Sequence, residues 1–218
     1  MGLFGEAIGG ILTSSKFVRV PVPAGTVWTS TEQLETVLRQ VKDVTLVAKK
    51  LVAGHSQSDL TTSLESSWSV AQCLDHLAQT TNAFVPAISA AIARAPRLGR
   101  NRSLATGIFT RLLIRNLEPP YRLRFRVLAP LVPRQRDFTC AWGAFEDSQV
   151  RLANTISSAA GLAIDHVKIK SPVYARFSYN VYGSLLLLTA HQRRHLWQID
   201  QVLKALDTAE VRNASSFK

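Results

Sequence analysis

The chain has 218 residues, with 26 Lys plus Arg against 15 Asp plus Glu, a net charge of +11, and 46% of its residues hydrophobic. An apolar share of that size fills a real core, which excludes a disordered tail and a small stapled fold. Two cysteines, Cys73 and Cys140, cannot build a disulfide framework or a zinc ribbon, and a reducing cytoplasm suits them best.

The sequence predicts neither an export signal nor a membrane span. The uncharged stretch from Phe177 to Gln192 covers 16 residues but carries Ser, Asn, Thr, His and Gln, too short and too polar to span. No basic group precedes the apolar residues near Ile8, and Glu6 stands where a myristoylation motif wants Ser or Thr. The whole chain, 1–218, reads as one domain, with residues 1–29 as an N-terminal arm that Pro21, Pro23 and Gly25 keep from continuing as a helix.

The first long helix is predicted from Ser30, three residues before Gln33, with Leu34, Val37, Leu38, Val41, Val44, Ala48 and Leu51 at helical spacing and Gly54 as its stop. After a polar loop, Ser69 caps a second long helix, with Gln72 reaching back and Trp68 and Cys73 forming a hydrophobic staple. Its apolar stripe includes Leu74, Leu77, Phe84 and Ile88, and Pro86 inside the stripe is expected to kink or shorten it. A long crossover, 94–136, follows, with room for a short helix near 103–117. A third long helix starts near Asp137 and stops before Gly161. The fourth starts near Ser178 and runs through Leu206. Four amphipathic helices with little strand signal imply an all-α four-helix bundle whose long crossover joins the second and third long helices.

Charge is concentrated in that crossover. From Arg94 to Arg136 there are eleven Arg, no Lys and one acid, Glu118, so nearly all of the excess positive charge lies there. It reads either as a solvated connecting segment or as an anion site, for nucleic acid, an acidic lipid surface or a carboxylate-bearing small molecule. Arg122, Arg124 and Arg126, interleaved with Leu and Phe, are the candidate anion-binding residues. No recognised nucleic-acid module surrounds them, so nucleic acid ranks below a small-molecule substrate as a partner.

His191 and His195 are four residues apart, which on a helix places their Cβ atoms about 5 to 6 Å apart on one face. Two such imidazoles can share a metal ion, and His76 on the second long helix is the candidate third ligand. Periodicity equally allows His76 to be a core or rim histidine bonded to a backbone carbonyl. Gln198 lies near the ligand face, able to orient an imidazole or to be an ordinary surface amide. Arg194 reads as pointing away from the ligands, toward a carboxylate between helices. Cys73 reads as a staple residue, Trp197 as core, and His55 and His166 as solvated loop residues.

Trp68-Ser69, six residues and His76-Leu77, together with His191-Gln192-Arg193-Arg194-His195-Leu196-Trp197-Gln198, resemble the second- and fourth-helix motifs of the DinB-like, or YfiT-like, metal-binding four-helix-bundle superfamily. The resemblance covers residues 30–206. It implies metal ligands at His76, His191 and His195, a divalent ion such as nickel or zinc, and thiol-dependent transfer or isomerisation among relatives. The expectation is therefore a metal-dependent S-transferase or hydrolase, with a low-molecular-weight thiol (glutathione, mycothiol or bacillithiol) as a candidate cofactor held by the crossover arginines. The alternative is a non-catalytic binding protein of the same fold that uses the Arg-rich surface for an anionic partner, or a purely structural bundle. Monomer and homodimer are both left open.

Overall fold

The computed structural model of the chain describes residues 28–64, 67–100, 102–119, 127, 129–134 and 137–215. Six helices and one hairpin lie within them. The helices are α1 (Ser30–Val52), α2 (Gln57–Thr61), α3 (Val70–Ile92), α4 (Ile108–Leu117), α5 (Phe138–Ser157) and α6 (Val181–Ser215), and the hairpin is β1 (Lys168–Lys170) with β2 (Ser178–Asn180). The predicted arm lies outside the described residues except for Trp28 and Thr29, as do Arg122, Arg124 and Arg126.

Local chemistry sets the helix starts. α1 begins one residue earlier than its sequence suggests: Thr29, not Ser30, is the cap. The Thr29 hydroxyl accepts from the Glu32 amide at 3.3 Å, while the Glu32 carboxylate accepts from the Thr29 amide at 2.8 Å. A carboxylate at the positive end of a helix outcompetes the Gln33 amide for this role. Gln33 instead reaches across to Leu104, donating to its carbonyl at 3.1 Å. At α3, Ser69 and Gln72 form the expected reciprocal box. Pro86 sits inside α3 without ending it, because Phe84 and Ile88 on either side are buried and their packing holds the helix past the lost backbone bond. Gly54 closes α1 with φ of 88°, a conformation costly for any residue with a Cβ.

Three features depart from the expected layout. The polar loop after α1 contains α2, whose box is made by Ser56 and Asp59. Residues 178–180, expected to open the last helix, pair antiparallel with β1, Ile169 facing Tyr179, both buried. Two three-residue strands are too short to carry a period-2 signal. α6 then starts from Asn180, whose side-chain oxygen accepts from the Gly183 amide at 2.7 Å.

α1, α3, α5 and α6 form the bundle. α3 packs on α5 and α6, α1 packs on the same two, and the short crossover helix α4 lies on α6. Buried apolar residues fall into two clusters. One holds Val41, Phe84, Leu152 and Leu188, the other Val44, Leu77, Phe145 and Leu196. Between them runs a buried polar layer of Thr81, Ser148, Gln149 and Gln192. Gln192 donates to Gln149 at 3.1 Å, joining α6 to α5.

The Ser69→Ala substitution removes the cap of the helix that carries His76 and should cost about 1 kcal/mol of stability. Chemical denaturation should show a lower midpoint at unchanged slope. An unaltered midpoint would show that packing alone defines the start of α3.

Candidate metal centre

α3 and α6 bring His76, His191 and His195 to one point at the level of the polar layer. One ring nitrogen from each lies within 4.8 Å of the others. Nε2 of His191 is 3.3 Å from Nε2 of His76 and 3.2 Å from Nε2 of His195. Nitrogens about 2.0 to 2.1 Å from a common tetrahedral ion would stand about 3.3 Å apart, so this donor set fits a divalent metal.

Proton placement supports the same reading. Nδ1 of His76 lies 2.8 Å from the carbonyl oxygen of Leu131. A carbonyl only accepts, so Nδ1 carries the proton and the inward Nε2 of the neutral ring is a bare lone pair. The alternative of a histidine bonded to a backbone carbonyl is thus half of the answer: the carbonyl orients the ring and leaves its other nitrogen free to ligate. A proton on Nε2 of His191 can be donated to His76 or to His195 but not to both, whereas one cation at the centre satisfies all three nitrogens.

All three imidazoles are held neutral. Burial lowers the pKa of His76 below its ordinary 6.5, against the opposing Leu131 carbonyl and Asp75 charge. Burial, with help from His76 and Arg194, holds His191 well below that value. His195 is depressed the same way by burial, His191, His76 and Arg194, while Gln198 beside it pulls weakly upward. Gln198 makes no well-formed bond to Nδ1 of His195, which is buried without a partner.

Residues beyond the triad shape the site. Trp68 stacks on His195 with ring centroids 6.0 Å apart and meets His76 at 4.9 Å, so the staple residue also walls the imidazoles. Asp75, next to His76, accepts from the Gln79 side chain and from the Arg134 backbone amide, both at 2.7 Å. His76 and Asp75 together pin the crossover turn at Leu131 and Arg134 onto α3. On α6 Arg193 pairs with a carboxylate of the crossover: its guanidinium donates to Glu118 and, at 3.2 Å, to Gln40. Arg194, three residues beyond His191, is on the ligand face by ordinary helix geometry and lines the same cavity as the histidines.

That cavity encloses about 990 Å³ and is lined mainly by aliphatic and aromatic side chains, with Thr80, Arg194, Gln198 and Gln201 among its polar groups. Thr80, one turn past His76, has a buried hydroxyl with no partner. Its i+4 spacing was the sequence signal for it, whereas nothing local marked Asp75 or Leu131. Trp197, expected in the core, is half-buried and lines the cavity. Cys73 is fully buried, its thiol pKa pushed up by desolvation, and it stands outside the donor group. His55 lies 3.9 Å from Asp207, and His166 accepts from Arg102 at 2.9 Å, so neither joins the site.

Two outcomes follow. Because folding depresses these histidines below 6.5, the unfolded chain binds more protons as the pH falls through that value, and the metal-free protein must lose stability on acidification from about pH 7.5 to about pH 5. Thermal melts should show this decline, and a His191→Gln/His195→Gln double variant should flatten it; equal slopes would refute the assignment. Asp75→Ala, which frees the crossover turn but leaves all three imidazoles, should weaken metal affinity about 10- to 100-fold in a competition titration with a chromogenic chelator. Affinity equal to the wild type would show that the turn does not position His76.

No curated protein and no solved structure matches the chain significantly. Residues 40–199, which contain the three histidines and all four helices of the bundle in whole or in large part, match the DinB superfamily, and the chain belongs to it.

Proposed function

We propose that the protein is a divalent-metal-dependent enzyme in which His76, His191 and His195 hold nickel or zinc beside a cavity for a small-molecule substrate. The observation that carries this reading is the convergence of three Nε2 atoms on one wall of an apolar cavity. Three protein ligands leave coordination positions open, the arrangement of a catalytic rather than a structural site. When bound, such an ion supplies Lewis acidity that lowers the pKa of a coordinated water or thiol.

The chain's own residues do the rest. His76, held by Leu131, keeps its lone pair inward, and burial keeps the other two rings unprotonated. Arg194 places positive charge beside an anionic nucleophile, and Gln198 offers an amide to orient it. The surrounding aromatic and aliphatic wall lowers the local dielectric and so strengthens these interactions. Among the described lining residues there is no carboxylate to act as a general base for water. A thiol, whose unperturbed pKa of about 8.5 is far below water's, needs no such base. Thiol-dependent S-transfer is therefore favoured over hydrolysis. The carboxylates of such a thiol require cations, for which Arg194 and the crossover residues Arg122, Arg124 and Arg126 are the candidates. A cytoplasmic setting, where such thiols stay reduced, belongs to the same proposal, and both cysteines are unpaired.

Elemental analysis of protein purified without a tag or chelating resin should find one divalent ion per chain, lost in His191→Ala. The loaded wild type should conjugate glutathione, mycothiol or bacillithiol to a chromogenic electrophile, and His191→Ala should not. Wild type that contains no metal and takes up neither nickel nor zinc would overturn the reading.

A further inference from the structure

The cavity is far longer than a metal site requires. Its lining on α6 runs from Leu187 to Val202, a span of about 22 Å at the helical rise of about 1.5 Å per residue, with the imidazoles between the ends. The two arms differ in character. Toward the C-terminal half of α6 the wall carries Ser67, Gln198 and Gln201, groups that can bond a polar co-substrate. Toward the N-terminal half the wall is mainly apolar, with Phe84, Phe109, Leu113, Phe177 and Leu187 outweighing Thr80, Ser171 and Tyr179. Along α3 this second arm extends from His76 to Phe84, about 12 Å. Phe109 packs on Phe177 with centroids 5.2 Å apart, so α4 and the hairpin loop close its side. Phe109 and Tyr174, 47% and 40% exposed, stand at the solvent edge of this arm.

A wall in which apolar groups dominate offers water few partners, and covering it with hydrocarbon gains free energy. We infer that this apolar arm, enclosed by α3, α4, the hairpin loop and α6, receives the hydrocarbon part of the substrate: an alkyl chain or aryl group about 12 Å long whose reactive head reaches the histidines. This rests on the metal-enzyme reading and adds the substrate class to it, an apolar electrophile or amphiphile entering past Phe109, with the polar co-substrate in the opposite arm.

The test is calorimetric titration of the full chain, zinc-loaded and metal-free, with aceto-, hexano-, octano- and decanohydroxamate. In the zinc-loaded protein, affinity should rise about fourfold for each methylene, and so by about two orders of magnitude from the hexanoyl to the decanoyl compound. Phe109→Asp, at a partly exposed position, should remove most of that rise and leave acetohydroxamate affinity unchanged. The metal-free protein should show the same dependence on chain length from a weaker starting point. Affinity independent of chain length in both forms overturns the inference even if zinc binds. Failure to take up zinc condemns the metal reading alone, since the slope in the metal-free arm still decides whether the chamber takes hydrocarbon.

Discussion

Three neutral imidazoles sharing one point inside an apolar bundle is the constraint around which the rest of this protein is arranged. It explains why the core is divided. The apolar stripes of α3, α5 and α6 are interrupted at one level by Thr81, Ser148, Gln149, Gln192 and the histidines, and the hydrophobic residues on either side form separate clusters. Such a layer is costly. Gln192 Oε1 and His195 Nδ1 are buried with no partner among the described residues, and such groups cost free energy wherever they stay unsatisfied.

The same constraint assigns a role to the crossover. Each helix that carries a histidine of the group uses a neighbouring residue to grip it: Asp75, beside His76, holds the Arg134 amide, and Arg193, between His191 and His195, holds Glu118. The Leu131 carbonyl then sets the proton on His76. A segment that reads as a connection is thereby part of the shell that orients the site, and movement of the turn at 129–134 would be felt at the imidazoles directly. Arg193 and Arg194 divide the work by their angular positions on α6, the first reaching outward to α1 and the crossover, the second lining the cavity.

The extent of the cavity follows from where large residues are absent. Beside the histidines Leu77, Phe145 and Leu196 are fully buried in the bundle interior. On the other side Phe109 of α4 and Tyr174 and Phe177 of the hairpin loop meet as tilted rings along the edge of the cavity, while Ile114 of α4 packs into the core. The hairpin, though only three residues per strand, positions Tyr174 and Phe177 at its rim.

Much of the architecture was legible from local signals. The 3.6-residue stripes of Leu34 to Leu51 and of Leu74 to Ile88, the Ser69–Gln72 box and the i, i+4 pair His191 and His195 depend on neighbours within one helical turn, and such interactions are written in the sequence directly. Where two local signals competed, as at Thr29–Glu32 against Ser30–Gln33, the stronger acceptor prevailed, and Gln33 was taken by a partner 71 residues away. The meeting of His76 with His191 across 115 residues, the pairing of Asp75 with the Arg134 amide, the hairpin and the two-armed cavity were decided only by the tertiary structure. Each is a contact between segments whose separation along the chain carries no periodicity, so only the packing of α3 against α6 and of the crossover against both could bring them together.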